Sequence, residues 1–83
     1  MINIELLVKR CCAPCHAANF ILSRVTKQLN LTYSLKPIDS DSSLLRQYKQ
    51  KVPVIRVNGE EIACLKIRES EVREKLISLI NKP

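Results

Sequence analysis

The sequence predicts an α/β fold in which one four-stranded mixed sheet carries helices on both faces. Two changes of hydrophobic periodicity indicate it, because an alternating strand pattern gives way to a helical stripe and then returns. An Asn-Gly pair between two later apolar segments adds a hairpin. A chain of 83 residues has room for one small domain, which we assign to residues 1–83.

The first three elements form a strand, a helix and a second strand. Residues 2–8 alternate apolar and polar side chains, and Leu7 breaks the alternation in a way that suggests burial on both faces. Apolar residues then recur every three or four positions over 13–29, where Pro14 suits the first helical turn. Residues 31–38 alternate again, so the three elements predict a right-handed βαβ unit with parallel strands.

The middle of the chain predicts a short helix and a hairpin. Ser40 or Asp41 can cap the helix. The Asn-Gly pair at 58–59 separates two apolar segments, 54–57 and 61–65, and tolerates the positive φ angles of a tight turn. We therefore expect an antiparallel hairpin there.

A last helix completes the order β-α-β-α-β-β-α. Ser70 is predicted to cap it, with Glu71 in the first turn. The apolar face of this helix consists of Val72, Leu76, Leu79 and Ile80. This order is typical of an α/β protein with a single layer of sheet.

Composition limits the classes of function. With 46% hydrophobic and 27% charged residues, the chain is expected to be globular. No apolar run is long enough for a bilayer, and the N-terminus lacks a secretory signal, so we expect a cytoplasmic protein with no membrane partner. The net charge of +6 permits an acidic partner, but scattered basic residues with few aromatics and no recognition motif make nucleic acid an unlikely partner.

Cys12 and Cys15 form a C-x-x-C motif where the first strand gives way to the first helix. The orphan N–H groups and dipole of a helix N-terminus stabilise a thiolate, so Cys12 is expected to be an exposed nucleophile. Cys15 lies three residues later on the same face, within reach of a disulfide, and is expected to be the less exposed, resolving thiol. The pair is therefore the predicted catalytic, redox-active disulfide.

A strand, C-x-x-C with Pro before the second Cys, a helix and Val52-Pro53 ahead of a hairpin together resemble the thioredoxin superfamily in its small, glutaredoxin-like form, over nearly the whole chain. The resemblance implies a thioredoxin-like fold and a thiol-disulfide oxidoreductase that acts in electron transport and cell redox homeostasis. It also implies that Pro53 follows a cis peptide bond facing the disulfide and that Val52 docks substrate through its backbone.

The chain departs from the best-known members of that superfamily. Thioredoxins commonly carry Trp where Cys11 stands, and an acidic residue where Leu6 stands, which argues against a housekeeping thioredoxin. Glutathione-using glutaredoxins have a Gly-Gly turn and an acidic residue where this chain has residues 64–69, so a glutathione clamp is not predicted. Arg10 and Lys51, together with Lys9 and Arg68, are expected to surround the site with positive charge and attract acidic groups. The predicted substrate-binding residues are Val52, Pro53, Arg10 and Lys51.

The expected partners are a disulfide-containing protein or small molecule and, as reductant, glutathione or a thioredoxin-type reductase. No tightly bound cofactor or metal is expected. The alternative is a non-enzymatic adaptor or a metal or iron–sulfur module, with zinc held by Cys12, Cys15, His16 and either Cys64 or Cys11.

For several other side chains the sequence leaves two interpretations open. Cys11 is either a third redox thiol or an ordinary surface residue, and Cys64 is favoured as a small core hydrophobe. His16 is either solvated or active in proton transfer. Tyr33 and Tyr48 are favoured as packing residues over a substrate platform.

Overall fold

The structure, a computed structural model, describes residues 2–81. It contains four strands and three helices in the predicted order: β1 (Ile4–Val8), α1 (Ala13–Gln28), β2 (Ser34–Pro37), α2 (Ser42–Tyr48), β3 (Val54–Val57), β4 (Glu60–Cys64) and α3 (Glu69–Ile80). The α/β fold is therefore confirmed. The single domain predicted for residues 1–83 includes Met1, Lys82 and Pro83, which lie outside the described residues.

The four strands form one mixed sheet in the order β2-β1-β3-β4. β1 pairs with β2 in parallel, with Leu6 opposite Leu35, which confirms the predicted βαβ unit. β3 runs antiparallel to both β1 and β4, and Asn58 and Gly59 turn between β3 and β4 with positive φ angles of 54° and 83°. The predicted hairpin is therefore confirmed as well.

Helices cover both faces of the sheet, as predicted. Leu6 points to the face that α1 and α3 cover, while the adjacent Leu7 points to the face that α2 covers, and both are fully buried. The expectation that β1 is buried on both sides is confirmed. The larger core comprises Ile4, Leu6, Ala18, Leu22, Val25, Ile55, Val57, Ile67, Val72 and Leu76.

Local chemistry explains where two helices begin. Pro14 occupies the first turn of α1, where its missing N–H removes no helical hydrogen bond. Asp41, rather than Ser40, caps α2, because its Oδ1 accepts hydrogen bonds from the N–H groups of Ser43 and Leu44 at 3.0 and 3.1 Å. The chain leaves α1 through Asn30, whose φ angle of 59° is the left-handed conformation common after a helix.

The predicted start of the last helix was wrong. Arg68 is the N-cap residue and makes no side-chain capping bond, and α3 already begins at Glu69. The Glu69 carboxylate accepts a hydrogen bond from Arg73 at 2.6 Å and lies 3.7 Å from Arg24 of α1. Within the described part of the chain no side chain caps α3, and Glu69 and Glu71 place negative charge in its first turn, where the helix dipole favours it.

Two strands are shorter than the sequence predicted. Residues 2–8 and 31–38 were expected to be extended, but β1 begins at Ile4 and β2 covers only Ser34–Pro37. β2 is an edge strand, all four of its residues are exposed, and its pairing is limited to Glu5–Val8 of β1. No helix within residues 2–81 has the length and apolar character to cross a membrane.

Candidate functional site

Cys12 and Cys15 lie at the point where β1 gives way to α1, and they are joined by a disulfide with a Cα–Cα distance of 5.2 Å. Cys12 is the N-cap residue of α1 in an extended conformation. Its Sγ accepts a hydrogen bond from the N–H of Cys15 at 3.2 Å. Its carbonyl accepts from the N–H groups of Cys15 and His16 at 3.1 and 3.3 Å. The N–H of Cys15, which lies in the first turn and has no regular helical acceptor, is therefore directed at Cys12.

Both cysteines are buried in the disulfide form. Cys12 is 6% exposed and Cys15 is 4% exposed, so the expectation that Cys12 is an exposed residue was wrong, although it is marginally the more exposed of the two. The cause is the apolar cluster beneath the helix N-terminus, which packs both cysteines among Leu7, Ile38, Val52 and Val54. The disulfide thus forms part of the smaller of the two cores.

The Val52–Pro53 segment belongs to the same cluster, and the peptide bond between the two residues is cis. The segment is held from two sides. The N–H of Val52 donates to the carbonyl of Tyr48 at 3.1 Å, and the carbonyl of Pro53 accepts from the N–H of Leu65 at 2.9 Å. The N–H of Val52 is therefore already bonded to the end of α2, and its side chain is buried.

A groove of about 300 Å³ begins at Pro14, between the two cysteines of the motif. No pattern in the sequence predicted this groove. Its outer wall carries Leu65, whose side chain is 54% exposed and whose backbone has a φ of 65°. The N–H of Leu65 reaches the carbonyls of both Lys51 and Pro53, which holds the residue in this conformation. The groove is lined by Pro14, Ala17, Ala18, Leu65, Lys66 and Ile67.

The predicted basic residues differ in how closely acidic side chains approach them. Lys9 and Arg10 directly precede the Cys motif and line an open pocket with Asp39, whose carboxylate accepts the N–H of Arg10 at 3.0 Å. Lys51 pairs with Glu61 at 2.8 Å. This hydrogen bond raises the pKa of Lys51 and lowers that of Glu61. Glu61 therefore largely neutralises the positive charge of Lys51.

A comparison with protein-family models identifies the family to which the chain belongs. A family model for the glutaredoxin-like domain (DUF836) matches residues 3–77. The chain belongs to this glutaredoxin-like family. No curated protein matches the chain.

Solved structures similar to this glutaredoxin-like chain share its fold. A structural genomics target, protein XcR50 from X. campestris, has a TM-score of 0.78 at 24% identity, over 90% of this chain and 96% of that one. Thioredoxin 1 from Thermosipho africanus TCF52B has a TM-score of 0.66 at 20% identity, over 96% and 99%. A chloroplastic thioredoxin z has a TM-score of 0.73 at 14% identity, over 99% and 80%. The predicted thioredoxin-like fold is therefore confirmed.

The two remaining cysteines of this glutaredoxin-like chain are free and differ in environment. Cys11 is exposed and has a φ of 52°. Cys64, expected in the core, is only partly buried because β4 is an edge strand, and it packs against the cluster that contains the disulfide. Burial, and secondarily the nearby Glu61 carboxylate, raises the pKa of the Cys64 thiol.

The side chains considered as zinc ligands are not assembled into a site. Within residues 2–81, no group of three or more His, Cys, Asp or Glu side chains is arranged to hold a metal ion. Cys12 and Cys15 use their sulfur atoms in the disulfide, and His16 is exposed on α1. The two tyrosines pack as expected: Tyr33 against the larger core and Tyr48 against the smaller.

Proposed function

We propose that the chain is a thiol-disulfide oxidoreductase with a dithiol mechanism. The observation that carries the proposal is the placement of the Cys12–Cys15 disulfide at the N-terminus of α1, with the N–H of Cys15 directed at Cys12 Sγ. After reduction, the same donor and the helix dipole stabilise a thiolate at Cys12. The thioredoxin-like fold and the glutaredoxin-like family support this assignment.

The reaction is two successive thiol-disulfide exchanges. The Cys12 thiolate attacks one sulfur of the substrate disulfide, so that the substrate S–S bond breaks and a mixed disulfide forms. Cys15 then attacks Cys12 Sγ, which restores the internal disulfide and releases the second substrate thiolate. Two electrons pass from the protein to the substrate, and a reductant must return them. We propose glutathione or a thioredoxin-type reductase for that role, in a reducing compartment such as the cytoplasm, with no tightly bound cofactor.

We further propose that substrates dock in the groove beside Leu65 and meet the adjacent Val52–Pro53 segment through its backbone, since both side chains are buried. Arg10 supplies charge that favours acidic substrates, and Lys51 contributes less because Glu61 pairs with it. The exposed Leu65 side chain favours an apolar neighbour of the substrate cysteine. A peptide or protein disulfide fits this edge better than a small polar disulfide does.

A disulfide-reduction assay tests the function. The wild-type protein is compared with Cys12→Ser and Cys15→Ser, with either glutathione plus glutathione reductase or a thioredoxin reductase as electron source. We expect turnover with one of these donors, its loss in Cys12→Ser, and a stable mixed disulfide in Cys15→Ser. Equal rates in all three proteins would refute the assignment.

A further inference from the structure

A second pocket reaches Cys15 from the side opposite the Leu65 groove. It has a volume of about 150 Å³ and lies between the end of β1, the edge strand β2 and the first two turns of α1. It is lined by Val8, Lys9, Cys15, His16, Asn19 and Leu35. A water needs only about 10–15 Å³ of such space, so the pocket has room for several waters beside a residue that is otherwise buried.

The other side chains that pack with Cys15 are mainly apolar, and the partly buried Cys64 thiol, which packs against the same cluster, keeps its own proton at neutral pH because its pKa is raised. β1 contributes Leu7, the segment after β2 contributes Ile38, and β3 contributes Val54. An apolar environment favours the neutral form of a thiol. In the dithiol protein, Cys15 must lose its proton before it can attack Cys12 Sγ, and none of these neighbours can accept that proton.

Three polar side chains line the pocket, and only one of them can act as a base. The Lys9 ammonium is a donor without a lone pair, and its Nζ donates to the carbonyl of Lys49 at 3.3 Å. Asn19 is an amide whose Oδ1 accepts the Tyr33 hydroxyl. His16 has an imidazole, and histidine is the side chain that ordinarily changes charge between pH 5 and 8.

We propose that His16 accepts the proton of Cys15 through the water of this pocket when Cys15 resolves the mixed disulfide. The S–S bond between Cys12 and the substrate breaks as the Cys12–Cys15 bond forms, and the departing substrate thiolate takes its proton from solvent. The Cys15 proton passes to His16 and from there to solvent, since the imidazole is exposed. This inference rests on the proposed dithiol mechanism and adds a proton acceptor to it.

Stopped-flow reaction with Ellman's reagent separates the two steps. The reduced protein carries Cys11→Ser and Cys64→Ala, so that only the active pair reacts. Attack by Cys12 releases the first coloured thiolate, and attack by Cys15 on the mixed disulfide releases the second. The test variants are His16→Gln and His16→Ala, and Lys27→Gln, on the last turn of the same helix, is the matched control.

We expect His16→Gln to slow the second release about tenfold at pH 7 and to leave the first release unchanged. The dependence of the second release on pH should differ between His16→Gln and the parent protein. Added imidazole should restore part of the rate in His16→Ala, whose pocket it can enter. Lys27→Gln should behave like the parent.

Two results would overturn the inference while leaving the dithiol mechanism in place. One is a second release with the same rate and pH profile in His16→Gln as in the parent, and the other is an equal slowing of both releases. Absence of a second release from the parent protein would instead count against the proposed function itself, and the inference would fall with it.

Discussion

The four cysteines show how strongly position controls the chemistry of one residue type. Cys12 is the N-cap residue of α1, and its sulfur accepts a hydrogen bond from a backbone N–H. Cys15 shares the apolar cluster of Cys12, yet it also borders a pocket of about 150 Å³. Cys64 packs against that cluster beside Glu61, and Cys11 lies on the surface. Only Cys12 and Cys15 are joined by a disulfide.

The two free thiols should differ in reactivity. Cys11 is exposed, whereas Cys64 is partly buried and has a raised pKa, so little Cys64 thiolate is present at neutral pH. With iodoacetamide at pH 7.5, we expect Cys11 to be alkylated at least about tenfold faster. Because the pKa of Cys64 is raised, its alkylation rate should keep increasing as the pH passes about 8.5, the ordinary pKa of a cysteine thiol. Peptide mass spectrometry measures both sites in one sample, and equal rates at pH 7.5 would contradict the account.

At the scale of single elements, helix ends show what local sequence could and could not predict. The Asp41 cap was one of two expected candidates, because a capping carboxylate acts on N–H groups only two and three residues away. The N-cap residue of α3 is Arg68, which makes no side-chain capping bond. Because a residue without a capping side chain carries no N-cap signal, the prediction at Ser70 was wrong by two residues.

The two caps predict opposite changes in stability. Asp41→Ala removes the acceptor for two N–H groups and should lower the free energy of unfolding by about 1 kcal/mol. Arg68→Asp gives α3 the capping side chain that it lacks and places a negative charge at the helix N-terminus, so it should raise that free energy by about 0.5–1 kcal/mol. Urea unfolding followed by circular dichroism measures both. A destabilised Arg68→Asp would show that Arg68 makes a contact more important than the cap.

At the scale of the whole molecule, the fold followed from short-range periodicity, whereas the details of the site depend on long-range packing. The strand and helix patterns, the Asn-Gly turn and the C-x-x-C placement are all local signals. The exposed Leu65 and the pocket at His16 arise where segments distant in sequence meet, so no local pattern marked them as a groove or a cavity. The burial of Cys12 has the same origin, because Val52 and Val54 cover it.

We propose that residues 1–83 fold as one cooperative domain around the α1 face of the sheet. Leu22 is fully buried in the larger core, and Leu22→Ala should lower the free energy of unfolding by about 2–5 kcal/mol. Phe20, on the same helix, is 64% exposed, and Phe20→Ala should change it by about 0.5 kcal/mol at most. Thermal unfolding should show a single transition in each protein. Two separate transitions, or similar effects of the two substitutions, would contradict this core assignment.

The most direct test of the central claim is a redox titration of the Cys12–Cys15 pair. The Cys11→Ser, Cys64→Ala protein is equilibrated over a series of thiol-disulfide buffers, and its free thiols are counted by alkylation and mass spectrometry. We expect both thiols to appear together in a two-electron transition, which changes tenfold per about 30 mV, at a potential above about −300 mV. A pair that stays oxidised well below −300 mV would be a structural disulfide and would contradict the proposed oxidoreductase.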